Sequence, residues 1–242
     1  MYIDKRFIYI IVIIIAAYSV ISLLSNPMAL LILLYSIPGV LVAITFHEYA
    51  HAFAADKLGD DTPRLQGRLS LNPLAHLDPI GSLMLLFVGV GWGKPVQINP
   101  NNFNRTVSIS KGEAIVSAAG PIMNFILAIV FCIAYFVIYK FAGAFVDTQI
   151  GGIVLSIILS TVYINLGLGI FNLIPMPPLD GSKILKNFLP YRARAWMESN
   201  EYLFYMIFLA LWIFGILGNI ISPLINVVSD LLISSVGKLF GL

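Results

Sequence analysis

"MALLILLYSIPGVLVAITFHEYAH", residues 28–51, begins as unbroken hydrocarbon and ends on two histidines that bracket a glutamate. Its apolar part, residues 28–46, is long enough to cross roughly 30 Å of lipid hydrocarbon as a helix. Three titratable groups at the end of such a helix cost several kcal/mol unless they are paired or bound to a metal. Fold and chemistry are therefore read from the same stretch.

Working outward, runs of comparable length occur at residues 7–24, 114–139, 150–171 and 202–221. The 242-residue chain is 59% hydrophobic and 11% charged, whereas a soluble domain carries about 25% charged residues. The expectation is an all-α integral membrane protein with about five transmembrane helices. The run at 7–24 follows Lys5 and Arg6 as a signal peptide would, but it is too long and no small-residue cleavage pattern follows, so it is expected to be retained. A net charge of +2 with scattered basic residues implies no nucleic-acid partner. Cys132 falls inside a span, where a small core residue is a better reading than a thiolate nucleophile.

Most Lys and Arg residues precede the first span or lie in 57–111 and 183–194; Lys140 and Lys238 are the exceptions. Positive residues stay cytoplasmic. The N-terminus is thus expected inside, with the C-terminal ends of the second and fourth spans at the cytoplasmic side of a cell membrane. Those two helices should run parallel, which brings "HEYAH" and "PMPPLDG" to one face at similar depth.

Between the second and third spans, "GSLMLLFVGVG" (81–91) is apolar but too short to cross, and reads as a re-entrant loop. Its neighbours "RLQGRLSLNP" and "KPVQINP" alternate like short β-strands and stop at prolines. Non-helical backbone near a bilayer must be covered by protein or water, so a cavity is implied. From Ser222 onward, Asn226, Asp230, Ser234 and Lys238 recur four apart among apolar residues, which reads as a C-terminal amphipathic helix at the interface.

His47 and His51 lie about 40° apart on one helical face, with Glu48 adjacent: the HExxH arrangement of a zinc site with a general base. Zinc held by neutral imidazoles keeps a position open for water, and a neighbouring glutamate can take that water's proton. The competing reading is a chance pair of polar residues at a helix end. A third ligand is wanted. Asp56 faces the opposite side of the helix, and Ala54 and Lys57 stand where an extended metzincin pattern has glycine and histidine. Asp180, His76 and Asp78 remain. By itself Asp180, in a D-G step after prolines, reads as a turn or helix N-cap; the parallel topology adds the reading of a metal ligand. His76 reads as a hydrogen-bonded loop residue, with a donor to a metal ligand, a substrate-side group or an extra ligand as the alternatives. Asp78 reads as an Asx turn.

HExxH at the end of one span and "NLIPMPPLDG" (172–181) at the end of a later one resemble the site-2 protease family of intramembrane zinc metalloproteases. The likeness runs from about 28 to 190 and includes "GPIMN" (120–124) and "GRLSLNPLAHLDPIGSL" (67–83). It is closest to compact members without PDZ or CBS domains. The resemblance implies one Zn2+ per chain on His47, His51 and Asp180, Glu48 as general base, and a single-span membrane protein as substrate. A separate regulatory protein, or prior trimming of the substrate, would then control cutting. The division expected is one membrane-embedded domain over 1–242: an extra N-terminal helix (1–26), a metalloprotease core (28–190), and C-terminal transmembrane and interfacial helices (200–242) that do not touch the chemistry. Asn124 and Asn172 are candidates for contacts to substrate, to the transition state or to the metal ligands, and Asn165 for interhelical hydrogen bonding. Two other functions use the same residues: a zinc or cation transporter, and an idle adaptor.

Overall fold

The computed structural model describes residues 25–82 and 93–242, together with Ala17 and Ile21. The expected first span at 7–24 and most of the re-entrant segment at 81–91 fall outside the described residues. Nine helices carry the described chain: α1 (Pro27–Lys57), α2 (Thr62–Leu65), α3 (Ile109–Phe141), α4 (Gly143–Val146), α5 (Gln149–Asn172), α6 (Asp180–Phe188), α7 (Tyr191–Ser199), α8 (Glu201–Ile213) and α9 (Ile216–Leu239). Among the described residues there is no β-sheet, only an isolated antiparallel bridge between Leu77 and Gly93.

Four helices, α1, α3, α5 and α9, are long and apolar enough to cross a membrane. With that many, the chain is a multi-pass membrane protein. Each of the three frame helices starts on a polar cap that satisfies its free N–H groups. Asn26 accepts from Met28 and Ala29 for α1, Ser108 from Lys111 for α3, and Thr148 from Gly151 for α5. α1 ends at Lys57, with Gly59 in the left-handed region just beyond (φ 102°).

Small residues let the frame close. Gly39 of α1 lies against Thr161 and Ile164 of α5, and Ala128, Cys132 and Phe136 of α3 pack on Val162 and Leu166 of α5 and Val236 of α9. Cys132 is a buried core residue, as read from the sequence. α1 and α5 run parallel, because Gly39 meets 161–164 at one end while His47 and His51 meet Asp180, just past α5, at the other.

Two expectations are corrected. The run at 202–221 is not one span: α8 stops at Ile213, and Gly215 takes a left-handed conformation (φ 71°) that starts α9 in a new direction. α9 then continues to Leu239, so the expected interfacial helix from Ser222 is part of a helix of spanning length. Asn226, Asp230, Ser234 and Lys238 do share an exposed stripe on it. The second correction is the short strand at 64–70. Asp60 accepts hydrogen bonds from the Thr62 N–H and hydroxyl and starts the helical turn α2 with Pro63. The buried Arg68 guanidinium then donates to the carbonyls of Ala75 and Lys94, acceptors that a strand ladder would otherwise have used.

Candidate metal centre

The last three turns of α1 carry His47 and His51, one above the other and both buried. Each ring gives its Nδ1 to α3. His51 Nδ1 lies 2.7 Å from the Val116 carbonyl oxygen, which can only accept, so this nitrogen carries the proton. His47 Nδ1 lies 2.6 Å from Asn124 Oδ1. The Asn124 amide is oriented by its other partners: Nδ2 donates to the Ala43 carbonyl (3.2 Å) and to Asn165 Oδ1 (3.0 Å), and Asn165 Nδ2 donates to Thr161 (2.9 Å). Both imidazoles therefore present an Nε2 lone pair to the interior.

Those lone pairs converge. The two Nε2 atoms are 3.0 Å apart, and each lies 3.2 Å from Asp180 Oδ2. Only a cation, or a proton taken up by one ring, reconciles three lone pairs at such distances. A tetrahedral zinc with bonds of about 2.0–2.1 Å has ligand–ligand edges of about 3.3 Å, so the donor set fits that ion. Among the described residues this is the one cluster of at least three His, Cys, Asp or Glu side chains close enough to hold a metal.

Asp180 reaches the histidines because the "LIPMPPL" turn (173–179) after Asn172 folds the chain back under α1. It is the first residue of α6, with Leu179 at the cap position, and its carboxylate points to the imidazoles rather than capping its own helix. Asp56, by contrast, faces away and binds Arg64 in two contacts of 2.8 Å.

Glu48 opens on the same cavity of about 480 Å3 as the three donors. Its Oε2 accepts from the Val96 N–H at 3.1 Å, so the segment after Gly93 is laid directly across the glutamate. Asp60 anchors that segment: fully buried, it accepts from Asn99 N–H (2.6 Å) and Asn102 Nδ2 (3.0 Å) besides Thr62. Burial raises its carboxyl, and the hydrogen bonds from Thr62, Asn99 and Asn102 outweigh that and hold it below the ordinary carboxylate range.

Asn172 lines the cavity, with Nδ2 bonded to Leu168 O at 3.1 Å. Asn165 makes the interhelical bond expected of it. His76 does not join the donors: it is fully buried, its Nε2 donates to Ser70 O at 2.6 Å, and its carbonyl accepts from Lys94 N–H. Asp78 accepts from Gly81 N–H in a local turn. Sequence reasoning missed two parts of the site. One is the Val96 amide, because a backbone donor leaves no residue signature. The other is α8: Tyr205, Phe208 and Trp212 wall the cavity, contrary to the expectation that nothing after residue 200 approaches the chemistry.

An all-helical membrane frame holding a two-histidine, one-aspartate centre beside an HExxH glutamate defines the class of membrane-embedded metallohydrolases. Residues 96–215 match the model for "Peptidase family M50". The chain is 35% identical over 209 residues to "Putative zinc metalloprotease YwhC" of Bacillus subtilis, covering 86% of this chain and 91% of that one. It is 29% identical over 192 residues to "Putative zinc metalloprotease Rip2" of Mycobacterium tuberculosis H37Rv, covering 74% and 70%. With "Zinc metalloprotease MJ0392" of Methanocaldococcus jannaschii it shares 29% over 148 residues, 61% of this chain and 32% of that one. No solved structure matches. The chain belongs to peptidase family M50, the site-2 protease family, and is a zinc metalloprotease. The cation-transporter reading is not favoured.

Proposed function

We propose that this metalloprotease hydrolyses a peptide bond within or near the transmembrane segment of a membrane protein, with its active site towards the cytoplasm. The observation that carries the reading is the convergence of His47, His51 and Asp180 on the cavity that Glu48 shares, at the far end of a spanning helix. From Pro27 to His47 the helix rises about 30 Å, one hydrocarbon thickness. The basic segments that follow α1 and α5 support the cytoplasmic side.

When bound, zinc supplies a Lewis acid that polarises a carbonyl and brings the pKa of water towards ~7. His47, His51 and Asp180 are its ligands. Glu48 takes a proton from the attacking water as the new C–O bond forms; when the C–N bond breaks, the same carboxyl returns that proton to the departing amine. No acyl-enzyme forms. The Val96 amide steers one carboxylate oxygen and leaves the other for the proton. Asn172, on the cavity wall, is placed to donate to the developing oxyanion.

A scissile bond inside a helix is shielded because its carbonyl already accepts an intrahelical hydrogen bond. The substrate, a single-span protein, must unwind locally, and the backbone of 94–99 at the cavity edge offers an extended partner for it. Core residues 28–190 hold the chemistry. The test is Glu48→Gln, assayed for zinc content and for cleavage of a reconstituted candidate substrate. Zinc retained with cleavage reduced about 10²–10⁴-fold is expected; undiminished cleavage would remove Glu48 as the base.

A further inference from the structure

The two imidazoles do not hold themselves. Val116, Gly120 and Asn124 follow one another at intervals of four along α3 and so form one stripe facing α1. The outer two receive the Nδ1 protons of His51 and His47. Between them, Gly120 lies flat against both rings: a Cβ there would sit 2.5 Å from His51 Nε2 and 2.7 Å from His47 Cε1. Asn124 is fully buried and spends its NH2 on Ala43 and on the equally buried Asn165 of α5, so its oxygen has one orientation. The same stripe thus carries an acceptor, a gap and an acceptor.

We infer that this stripe of α3 is a rack that selects the Nδ1–H tautomer of both histidines, and that Asn124 is the positioning residue for His47, locked in turn by Asn165 across the interface with α5. The inference rests on His47 and His51 being the ligands. Without the acceptor at Asn124, the His47 proton is free to move to Nε2, where it blocks the metal position. An acceptor on the outer nitrogen also makes the inner one more basic. Asn165 acts only through Asn124: its amide binds no histidine.

Chelator competition on the purified full-length protein, reading zinc affinity rather than cleavage, tests this with Asn124→Leu and Asn124→Asp. The leucine removes the acceptor. The aspartate keeps an acceptor for His47 while discarding the donors to Ala43 and Asn165. A positioning role expects leucine to weaken zinc binding about 10–100-fold and aspartate to restore it to near wild type. A merely structural role expects the two variants to fall together, and that outcome, or undiminished affinity in leucine, overturns the inference. Asn165→Leu should lower affinity less than Asn124→Leu and add nothing in the double variant; additive losses also count against it. Should Asn124→Leu fail to fold, Asn124→Asp and Asn165→Leu decide the matter: the first at wild-type affinity with the second weakened supports the rack, and any other pattern rejects it. His47→Ala is the separate control on the ligand set, because zinc retained there would refute the ligands rather than the rack.

Discussion

The frame of α1, α3 and α5 and the chain that closes over it solve the same problem by opposite means. In the frame, polar side chains at depth are matched to one another across helices: His47 to Asn124, Asn124 to Asn165, His51 to a carbonyl. In the described parts of the covering chain, 60–82 and 93–104, backbone groups are matched instead to single side chains. Asp60 collects N–H groups from two separate stretches, Arg68 collects carbonyls, and Val96 lends its N–H to Glu48. Rigid helices thereby fix the proposed ligands, whose spacing tolerates little error, while an irregular segment, free to take a non-repeating path, fixes the proposed base and borders the cavity.

Breaking the frame should cost the metal centre most. Gly120→Ala forces both imidazoles away from α3, and zinc binding and cleavage are expected to fall together by at least about ten-fold and as much as a hundred-fold; equilibrium metal competition alongside a cleavage assay checks this. Breaking the cover should separate the two properties. Val96→Pro removes the donor to Glu48 without touching a ligand, and is expected to keep zinc at the wild-type level while cleavage drops by about ten-fold, the weight of one hydrogen bond to a charged group. If zinc fell as well, frame and cover would not be independent.

A third substitution asks whether α8 belongs with the frame or with the cover. Phe208 is buried with Ile170, Leu179, Leu217 and Ile221 and also walls the cavity. Phe208→Ala is expected to cost about 3–5 kcal/mol of stability, read by unfolding in detergent, with zinc affinity retained in the folded fraction.

An effect away from the metal centre is expected at Asp60, where the folded carboxyl titrates below its unfolded value. Its stabilisation is fully present above the unfolded pKa of about 3.9 and is lost as pH falls through the folded one. Asp60→Asn should therefore lower the unfolding temperature at neutral pH, by the equivalent of about 1–3 kcal/mol, because an amide turned either way faces a donor with a donor. The gap to wild type should close in acid. A pH series of thermal scans checks the sign.

How much was legible in the sequence follows the same division. The spans at 28–46, 114–139 and 150–171 lie within α1, α3 and α5, since hydrophobicity at that length leaves few alternatives. The run at 202–221 misled because hydropathy does not register a backbone turn: neither Phe214 nor Gly215 brings a polar side chain into the run, and the left-handed φ of Gly215 divides α8 from α9. The alternation at 64–70 misled because Asp60, four residues upstream, captures Thr62 and bends the chain before any ladder can form. At the site, His47, Glu48 and His51 share one turn of one helix and could be read locally. Asp180 could not, since spacing alone favoured a turn; its place came from topology and from resemblance to a family. Asn124 was legible as a polar residue at depth, but not as the acceptor for a histidine 77 positions away.

The most direct measurement is zinc content per chain in purified wild-type protein and in His47→Ala, His51→Ala and Asp180→Ala. Close to one zinc in wild type, lost in all three variants, is the result expected if two parallel helices assemble one metal centre. Zinc at the wild-type level in Asp180→Ala would contradict it.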